Sequence, residues 1–330
     1  MPIIICPYCQ KSLKKIKKYP NHSSLYQCSC LIYPQIESII YLKNDSLRTK
    51  LINCLINNKE YLHYFSFSFA SRVIFQLFPI KFVIKITGYR LFLKFLVFVG
   101  YNKGWTKYLL NRSNIPSFIL AKLFLNLIKD KKSLILDIGC GTGNLLPYIY
   151  KHTFQKNIIA IDKDFLSLFI AKFCFAKSKT ILICCDVNNT LPFKSHTFDN
   201  VFIIDTLHYI KNSQIFFKNL KNVVKNNFEG AIIHTLNADK NQSFFEYKKQ
   251  PRHLKKILLK SGFTNFKFIS NIYLWKNLIN SGKVNLKNDN VNKKSVYNVV
   301  FTKKKTIALP KKDFKKATVN YYQDKYLAKL

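Results

Sequence analysis

The sequence predicts an α/β fold with a doubly wound, mostly parallel sheet of seven strands between residues 131 and 303. Beyond residue 130, short apolar runs alternate with helix-length segments, which is typical of parallel strands joined by helices. A cluster of glycines follows the first of these runs. The chain has 330 residues, 48% of them apolar, so it can bury a full core and an accessory module.

Seven apolar runs define the predicted strands. In chain order they are SLILDIG, IIAIDKD, TILICCDV, FDNVFIIDT, GAIIHTL, FKFIS and VYNVVFT. Right-handed crossovers should join the parallel strands, whereas the last two runs are expected to pair antiparallel at the sheet edge. A helix is expected through HLKKILLKSGF, and an Asn/Lys-rich loop around residues 276–294.

Composition divides the chain into four predicted segments. They are a Cys-rich module at 1–43, a helical linker or lid at 44–130, the sheet domain at 131–303 and a basic, partly helical tail at 304–330. Within the linker, Lys81/Lys85 and Arg90/Lys94 are spaced i,i+4 among apolar residues, a basic amphipathic pattern that Gly88 interrupts. These helices can form a lid, pack on the sheet, or lie on an anionic membrane. A further helix is predicted from Pro116 to about residue 129.

The formal charge of +38 and the pI near 9.9 have two interpretations. One is an anionic partner, RNA or a membrane surface. The other is drift towards A/T-rich codons, because Lys outnumbers Arg by 49 to 5 and designed phosphate recognition favours Arg. No uncharged window reaches the roughly 18 residues of a membrane span, and no signal peptide is visible, so we expect a cytoplasmic protein.

Four of the nine cysteines crowd the first thirty residues, as Cys6-x-x-Cys9 and Cys28-x-Cys30. Four thiolates satisfy the tetrahedral preference of structural Zn²⁺, which a module this small needs for folding. His22 can replace one ligand, and a metal-free remnant of such a site is the alternative. The remaining cysteines are scattered, as expected for reduced thiols.

The glycine cluster predicts a nucleotide-like ligand. Gly139, Gly141 and Gly143 are three of only nine glycines in the chain. Glycines permit a tight turn and close approach of a ligand, and the N–H groups of a following helix are free to bind it. The dinucleotide pattern G-x-G-x-x-G does not fit, because Asn144 stands where its third glycine belongs.

Acidic residues near the glycines narrow the choice of ligand. Asp137, two residues before the first glycine, would repel a pyrophosphate but suits an ammonium and a sulfonium, which favours S-adenosylmethionine over NAD. Asp162 ends the next run, 23 residues beyond Gly139, where an acid can bind ribose hydroxyls. Asp186 ends the third run and can accept from the adenine amino group. The alternative for each acid is a helix cap.

From about residue 115 to 303 the chain resembles the class I S-adenosylmethionine-dependent methyltransferases, which have a Rossmann-like fold, and within them the ubiquinone/menaquinone type. The motifs LDIGCGTGN, IDKD, CCDV, LPFKSHTFDNVFIIDTLHYI and LLKSGF carry this resemblance. It implies that Asp137 and the loop bind the methionine part, Asp162 the ribose and Asp186 the adenine. The full cofactor-binding set it implies is Asp137, Gly139, Cys140, Gly141, Gly143, Asp162, Lys163, Asp186, Val187, Asp205 and Thr206.

The N-terminal stretch CPYCQKSL to LYQCSCLIYPQIESIIYL resembles the zinc ribbons at the front of some methyltransferases. It departs from them in the compressed CSC and in Ser38, where glycine is usual. A ribbon also begins certain 23S ribosomal RNA guanine methyltransferases, which keeps RNA open as the substrate.

The predicted activity is methyl transfer by in-line displacement, in which positioning supplies much of the catalysis. The resemblance implies that Asp205 and Thr206 face the methyl group, and His208 with Asp205 are the candidate catalytic residues. Three hypotheses follow: an enzyme acting on a small, lipophilic acceptor, an RNA methyltransferase, and a cofactor-binding protein without turnover. Peripheral membrane association is compatible with the first.

Overall fold

A computed structural model describes residues 3–59, 61, 80–98, 103–112, 116–235, 250–289, 291 and 296–308. The chain divides into two compact units. Unit 1 comprises Met1–Ser113, Cys140–Pro147 and Ile159–Asp186, and unit 2 comprises Asn114–Gly139, Tyr148–Ile158 and Val187–Leu330.

The described strands, in chain order, are β1 (Lys14–Tyr19), β2 (Ser23–Gln27), β3 (Ile32–Ile36), β4 (Ile39–Tyr41), β5 (Ile135–Ile138), β6 (Ile158–Asp162), β7 (Ile181–Cys184), β8 (Phe198–Ile204), β9 (Val224–Thr235), β10 (Lys267–Ser270), β11 (Lys283–Asn285), β12 (Tyr297–Phe301) and β13 (Thr306–Ala308). The described α-helices are α1 (Ser46–Ile56), α2 (Ile80–Phe98), α3 (Lys103–Asn111), α4 (Pro116–Phe124), α5 (Leu146–Ile149), α6 (Phe165–Cys174), α7 (Ser213–Val223), α8 (Pro251–Lys260) and α9 (Asn271–Ser281).

The sheet of unit 1 has the strand order β1-β2-β3-β4-β7-β6. The first four strands form an antiparallel meander, in which the Lys-rich β1 is exposed and β2 to β4 are largely buried. β4 then pairs in parallel with β7, with Tyr41 opposite Cys184. The N-terminal module therefore continues the sheet that carries β6 and β7, a pairing that the sequence did not predict.

Helices of unit 1 begin and bend at identifiable residues. The Asp45 carboxylate caps α1 by accepting the N–H of Arg48 at 3.1 Å. Gly88 breaks α2 with φ +67°, as the sequence predicted, and α2 packs on α6 and α3. The first part of the predicted basic helical stretch, residues 72–79, lies outside the described residues. Within the described ranges, no helix combines the length and apolar character needed to cross a membrane.

In the part of unit 2 that the structure describes, five strands have the order β5-β8-β9-β12-β10, and β11 and β13 form a separate pair. β5, β8 and β9 are parallel, whereas β12 is antiparallel to both of its neighbours. With β6 and β7, which are parallel to each other, these are the seven predicted strands. The predicted α/β fold with a mostly parallel sheet is therefore confirmed, as is the antiparallel pairing of the last two runs.

The predicted loop around residues 276–294 is wrong in its first half, where α9 extends to residue 281. Ser270 caps this helix, Gly282 ends it with φ +66°, and the buried side chains of Leu274, Trp275 and Leu278 anchor it. The Asn- and Lys-rich composition concealed that apolar spacing.

Two predicted boundaries also differ. α4 ends at Phe124 and continues as a 3-10 turn at Leu125–Leu127, short of residue 129. The predicted tail begins with strand β13, which pairs with β11. The rest of that tail, residues 309–330, lies outside the described residues.

Candidate functional site

The glycine loop directs its backbone amides inward, towards protein acceptors. Cys140 N–H donates to the Ile161 carbonyl at 3.1 Å, Gly141 N–H to Asp162 Oδ2 at 2.8 Å, and Gly143 N–H to the Cys140 carbonyl at 3.0 Å. The helix that follows, α5, has only four residues. A helix this short has little dipole, and these three loop amides are already bonded within the protein, so this loop is a poor cradle for phosphate. That agrees with the argument from charge against a dinucleotide.

Asp162, the last residue of β6, is held by two backbone donors. Oδ2 accepts from Gly141, and Oδ1 accepts from Asp164 N–H at 2.9 Å. Burial raises the pKa of the Asp162 carboxyl above its ordinary value, while these two bonds favour the charged form. Each carboxylate oxygen can accept more than one bond, so this side chain can still receive ribose hydroxyls.

Asp164 is a helix cap. Its carboxylate accepts the N–H of Leu166 at 3.3 Å and of Ser167 at 3.0 Å, at the start of α6. Asp164 therefore serves as a helix cap, whereas Asp162 accepts a hydrogen bond from the glycine loop.

Lys43, at the end of the N-terminal module, lies beside the predicted adenine-binding acid. Its Nζ donates to the Lys163 carbonyl at 3.5 Å and lies 3.0 Å from Asp45 Oδ2. Burial lowers the pKa of Lys43, but the neighbouring Cys184, Asp45 and Asp186 outweigh burial and raise the pKa. Sequence reasoning missed Lys43, because 120 positions separate it from Lys163.

In unit 2, the strand-end turn after β8 packs on the first glycine. Gly139 has φ +72°, and a Cβ there would overlap the Thr206 side chain, whose own Cβ would lie 2.8 Å away. Thr206 Oγ1 donates to the Ile204 carbonyl at 2.8 Å. Asp205 has φ +54°, and its N–H donates to the Ile233 carbonyl at 3.0 Å. Positive φ at a non-glycine residue is a strain that recurs at functional sites.

The remaining predicted residues of unit 2 differ in accessibility. Asp137 lies in β5 and is 2% exposed, and Val187 is partly exposed and lies in the turn after β7. His208 is 1% exposed and lies in a 3-10 turn, with its ring centroid 4.2 Å from that of Tyr209. This burial favours a packing role for His208 over direct contact with a substrate.

Two residues of the helical segment reach the glycine loop, and sequence reasoning missed both. The Tyr89 hydroxyl lies 3.1 Å from Thr142 Oγ1 and 3.3 Å from each of two acceptors, Asn144 Oδ1 and the Leu109 carbonyl, which share its single proton. Arg112, just after α3, places its Nη1 2.5 Å from the point that a Cβ on Gly141 would occupy. The helices therefore contact the loop directly, as a lid or packing element would.

The four N-terminal cysteines come together. The Sγ atoms of Cys6, Cys9, Cys28 and Cys30 all lie within 4.8 Å of one another. Cys30 Sγ is 3.5 Å from that of Cys6 and 3.4 Å from that of Cys28, near the roughly 3.8 Å that Zn–S bonds of about 2.3 Å give a tetrahedron. His22 lies in the β1–β2 turn, outside this cluster.

The thiols of this cluster differ in acidity. A hydrogen bond from Ser29 lowers the pKa of the Cys9 thiol to about 6, whereas burial raises the pKa of Cys28 and of Cys30. Several thiolates at this spacing repel one another unless a cation compensates them. The donor set therefore fits a divalent, thiophilic ion such as Zn²⁺.

Comparison with known proteins adds to this geometry. Residues 136–230 match the family described as "Methyltransferase domain". A curated relative, N-methyltransferase 4 of Papaver somniferum, is 30% identical over 103 residues, which is 30% of this chain. The chain spans 28% of the length of that relative.

Two solved structures of low identity are also similar. A SAM-dependent methyltransferase of Aquifex aeolicus is 19% identical, with a TM-score of 0.41, covering 63% of this chain and 100% of its own. The phosphoethanolamine N-methyltransferase 2 of Haemonchus contortus is 14% identical, with a TM-score of 0.39, covering 62% and 60%. Residues 136–230, which match this family, include the glycine loop and the strand ends described above.

Proposed function

We propose that this protein is an S-adenosylmethionine-dependent methyltransferase that acts on a small acceptor. The observation that carries the proposal is the bond between Gly141 and Asp162, within the segment that matches the methyltransferase family. It fixes the glycine loop against a strand-end carboxylate and turns its amides away from any phosphate.

The proposed cofactor site follows the sequence expectations. Asp137 with the glycines and Cys140 would hold the methionine part, Asp162 and Lys163 would lie at the ribose, and Asp186 with Val187 at the adenine. Two features support this arrangement: Asp162 is fixed by backbone donors, and Asp186 is close enough to Lys43 to raise the pKa of that ammonium.

The cofactor supplies an activated methyl group on a sulfonium, so the protein has chiefly to align donor and acceptor. Asp205 and Thr206, in the strained turn against Gly139, are the proposed residues at the methyl group. His208 remains a candidate base, although its burial argues for positioning through this turn.

Isothermal titration with S-adenosylmethionine and S-adenosylhomocysteine tests the site. Asp162→Asn keeps the shape and one acceptor oxygen but loses the charge, and should weaken binding at least about tenfold. Asp130→Ala, which removes an exposed loop acid, is the matched control. Equal affinities of wild type and Asp162→Asn, with both folded by circular dichroism, would sink the site assignment.

The acceptor is proposed to be a small, lipophilic metabolite. The curated relative from Papaver somniferum is named an N-methyltransferase, so an amine nitrogen is the first accepting group to test. Pure protein with labelled cofactor and a fractionated extract should transfer label to the small-molecule or lipid fraction. The charge of +38 is the reason to test RNA as an alternative acceptor. Transfer of label to RNA, together with an RNA affinity that falls steeply as the salt concentration rises, would favour that alternative.

A protein that binds the cofactor without turnover is the third alternative. It predicts tight S-adenosylhomocysteine binding but no formation of that product with any extract fraction. Steady product formation above the rate without extract would eliminate it.

We also propose that Cys6, Cys9, Cys28 and Cys30 bind one structural Zn²⁺ in a ribbon-like module, and that the protein works in the cytoplasm, where the other thiols stay reduced. The cluster of four sulfurs within 4.8 Å supports the metal. Metal analysis should find about one zinc per chain, reduced in Cys28→Ser but retained in Cys174→Ser. Equal zinc content in the two variants would contradict the assignment.

A further inference from the structure

Arg112 lies beside the glycine loop that is proposed to bind the cofactor. Its guanidinium lies against the backbone of Gly141, so close that any side chain at 141 would displace it. Gly141 is the central glycine of the loop, and its N–H is bonded to Asp162. The cation therefore lies at the loop segment proposed to hold the methionine part.

The charges of the cofactor limit what this cation can bind. S-adenosylmethionine carries a sulfonium and an ammonium, both of which a guanidinium repels. Its single anionic group is the carboxylate of the methionine part. Arg112 already attracts the nearby Asp162 carboxylate, and among the groups of the ligand only the carboxylate is attracted to this cation.

The residue type supports the same conclusion. A guanidinium offers a planar fork of N–H donors that matches a carboxylate in two parallel bonds, which a lysine ammonium cannot do. This chain has 49 Lys and 5 Arg, so an arginine stands out at a position beside the loop. The guanidinium carbon also lies 5.7 Å from the centroid of the Tyr108 ring on α3, which steadies its direction.

Tyr89 holds the segment that carries Arg112. Its hydroxyl lies 3.3 Å from two acceptors, the Leu109 carbonyl on α3 and Asn144 Oδ1 of the glycine loop, which share its single proton. The same side chain thus ties α3 to the loop, which makes Tyr89 a positioning residue for Arg112.

We infer that Arg112 binds the carboxylate of the cofactor's methionine part, so that a helical segment outside the methyltransferase match of residues 136–230 completes the cofactor site. This inference rests on the proposed function, because it assumes that the loop binds S-adenosylmethionine. It adds a cofactor-binding residue that lies outside the motifs of the matched segment.

A double cycle, which combines a substitution of Arg112 with removal of the ligand's carboxylate, tests the contact between these two groups. Affinities of wild type and Arg112→Ala are measured for S-adenosylmethionine and for its decarboxylated form, which keeps the sulfonium and the amine. Arg112→Ala should weaken binding of S-adenosylmethionine about 10- to 100-fold, because the ion pair with the carboxylate is lost. Binding of the decarboxylated form should weaken less than about 2-fold, because this ligand has no carboxylate to form that pair. Arg112→Lys should retain part of the affinity.

Arg90→Ala, which removes an exposed cation from α2, controls for net charge and should change neither affinity. An equal loss for both ligands in Arg112→Ala would reduce Arg112 to a structural role, and no loss for either would overturn the contact. If wild type binds neither ligand, or binds NAD instead, the proposed function itself fails, which is a distinct result.

Discussion

Gly139→Ala should separate two reasons for glycine at the first position of the loop. With φ +72°, an alanine there adopts a left-handed conformation, which costs about 1–2 kcal/mol. Its Cβ would also overlap Thr206, and overpacking of this kind costs about 1–3 kcal/mol. Loss of glycine's freedom in the unfolded chain offsets about 0.4–1 kcal/mol. We therefore expect a net destabilisation of about 1–4.5 kcal/mol.

Urea denaturation of a double-mutant cycle measures the two parts. Thr206→Gly removes the side chain that Gly139→Ala would meet, so the double variant should be more stable than additivity predicts by about 1–3 kcal/mol. Gly282→Ala is the matched control, because Gly282 also has positive φ, +66°, but no atom within 4 Å of its Cβ position. It should cost only the backbone strain. Additive effects within about 0.5 kcal/mol would refute the close packing of Gly139 and Thr206.

Four further predictions address other parts of the structure. Ser38→Gly should stabilise the protein by about 0.5–1 kcal/mol in thermal denaturation, because Ser38 has φ +69° in the β3–β4 turn; a lower melting temperature would contradict this. Tyr89→Phe should cost about 1 kcal/mol of stability and also weaken cofactor binding, and titration showing an unchanged Kd would remove its positioning role. Burial raises the pKa of Asp45, but hydrogen bonds, chiefly from Tyr41, lower it overall, so Asp45 stabilises the folded state fully above its unfolded pKa of about 3.9. The stability difference between wild type and Asp45→Asn should therefore shrink as the pH falls below about 4, and a constant difference would count against it. His208→Asn should change kcat less than about threefold if the buried ring only packs, whereas a hundredfold loss in a stable variant would make it catalytic.

The sequence predicted well whatever depends on neighbouring residues. All seven strands appear, since alternation of apolar runs and helices is a local signal. The kink at Gly88 also follows from local chemistry. The error at α9 arose because its buried side chains, Leu274, Trp275 and Leu278, lie among Asn and Lys that resemble a loop.

Contacts between remote segments could not be predicted. Nothing near Lys43 or Arg112 in sequence indicates that each lies beside a loop or strand end far along the chain. The glycine motif likewise predicts close approach of a ligand, but the inward direction of its amides depends on Asp162 and Ile161, which the tertiary fold supplies.

The parallel pairing of β4 with β7 also governs how the chain reaches its folded state. During synthesis, β4 leaves the ribosome long before its partner, since Tyr41 pairs with Cys184. The hairpins of the N-terminal module can form early, but their last strand has to wait with one edge unpaired, and such late, non-local closure slows folding. Conversely, removal of residues 1–43 would expose the apolar edge of β7 to other chains, and an unpaired buried strand of that kind promotes aggregation. The N-terminal module thus covers the edge of β7 by pairing β4 with it, whatever further role its cysteines have.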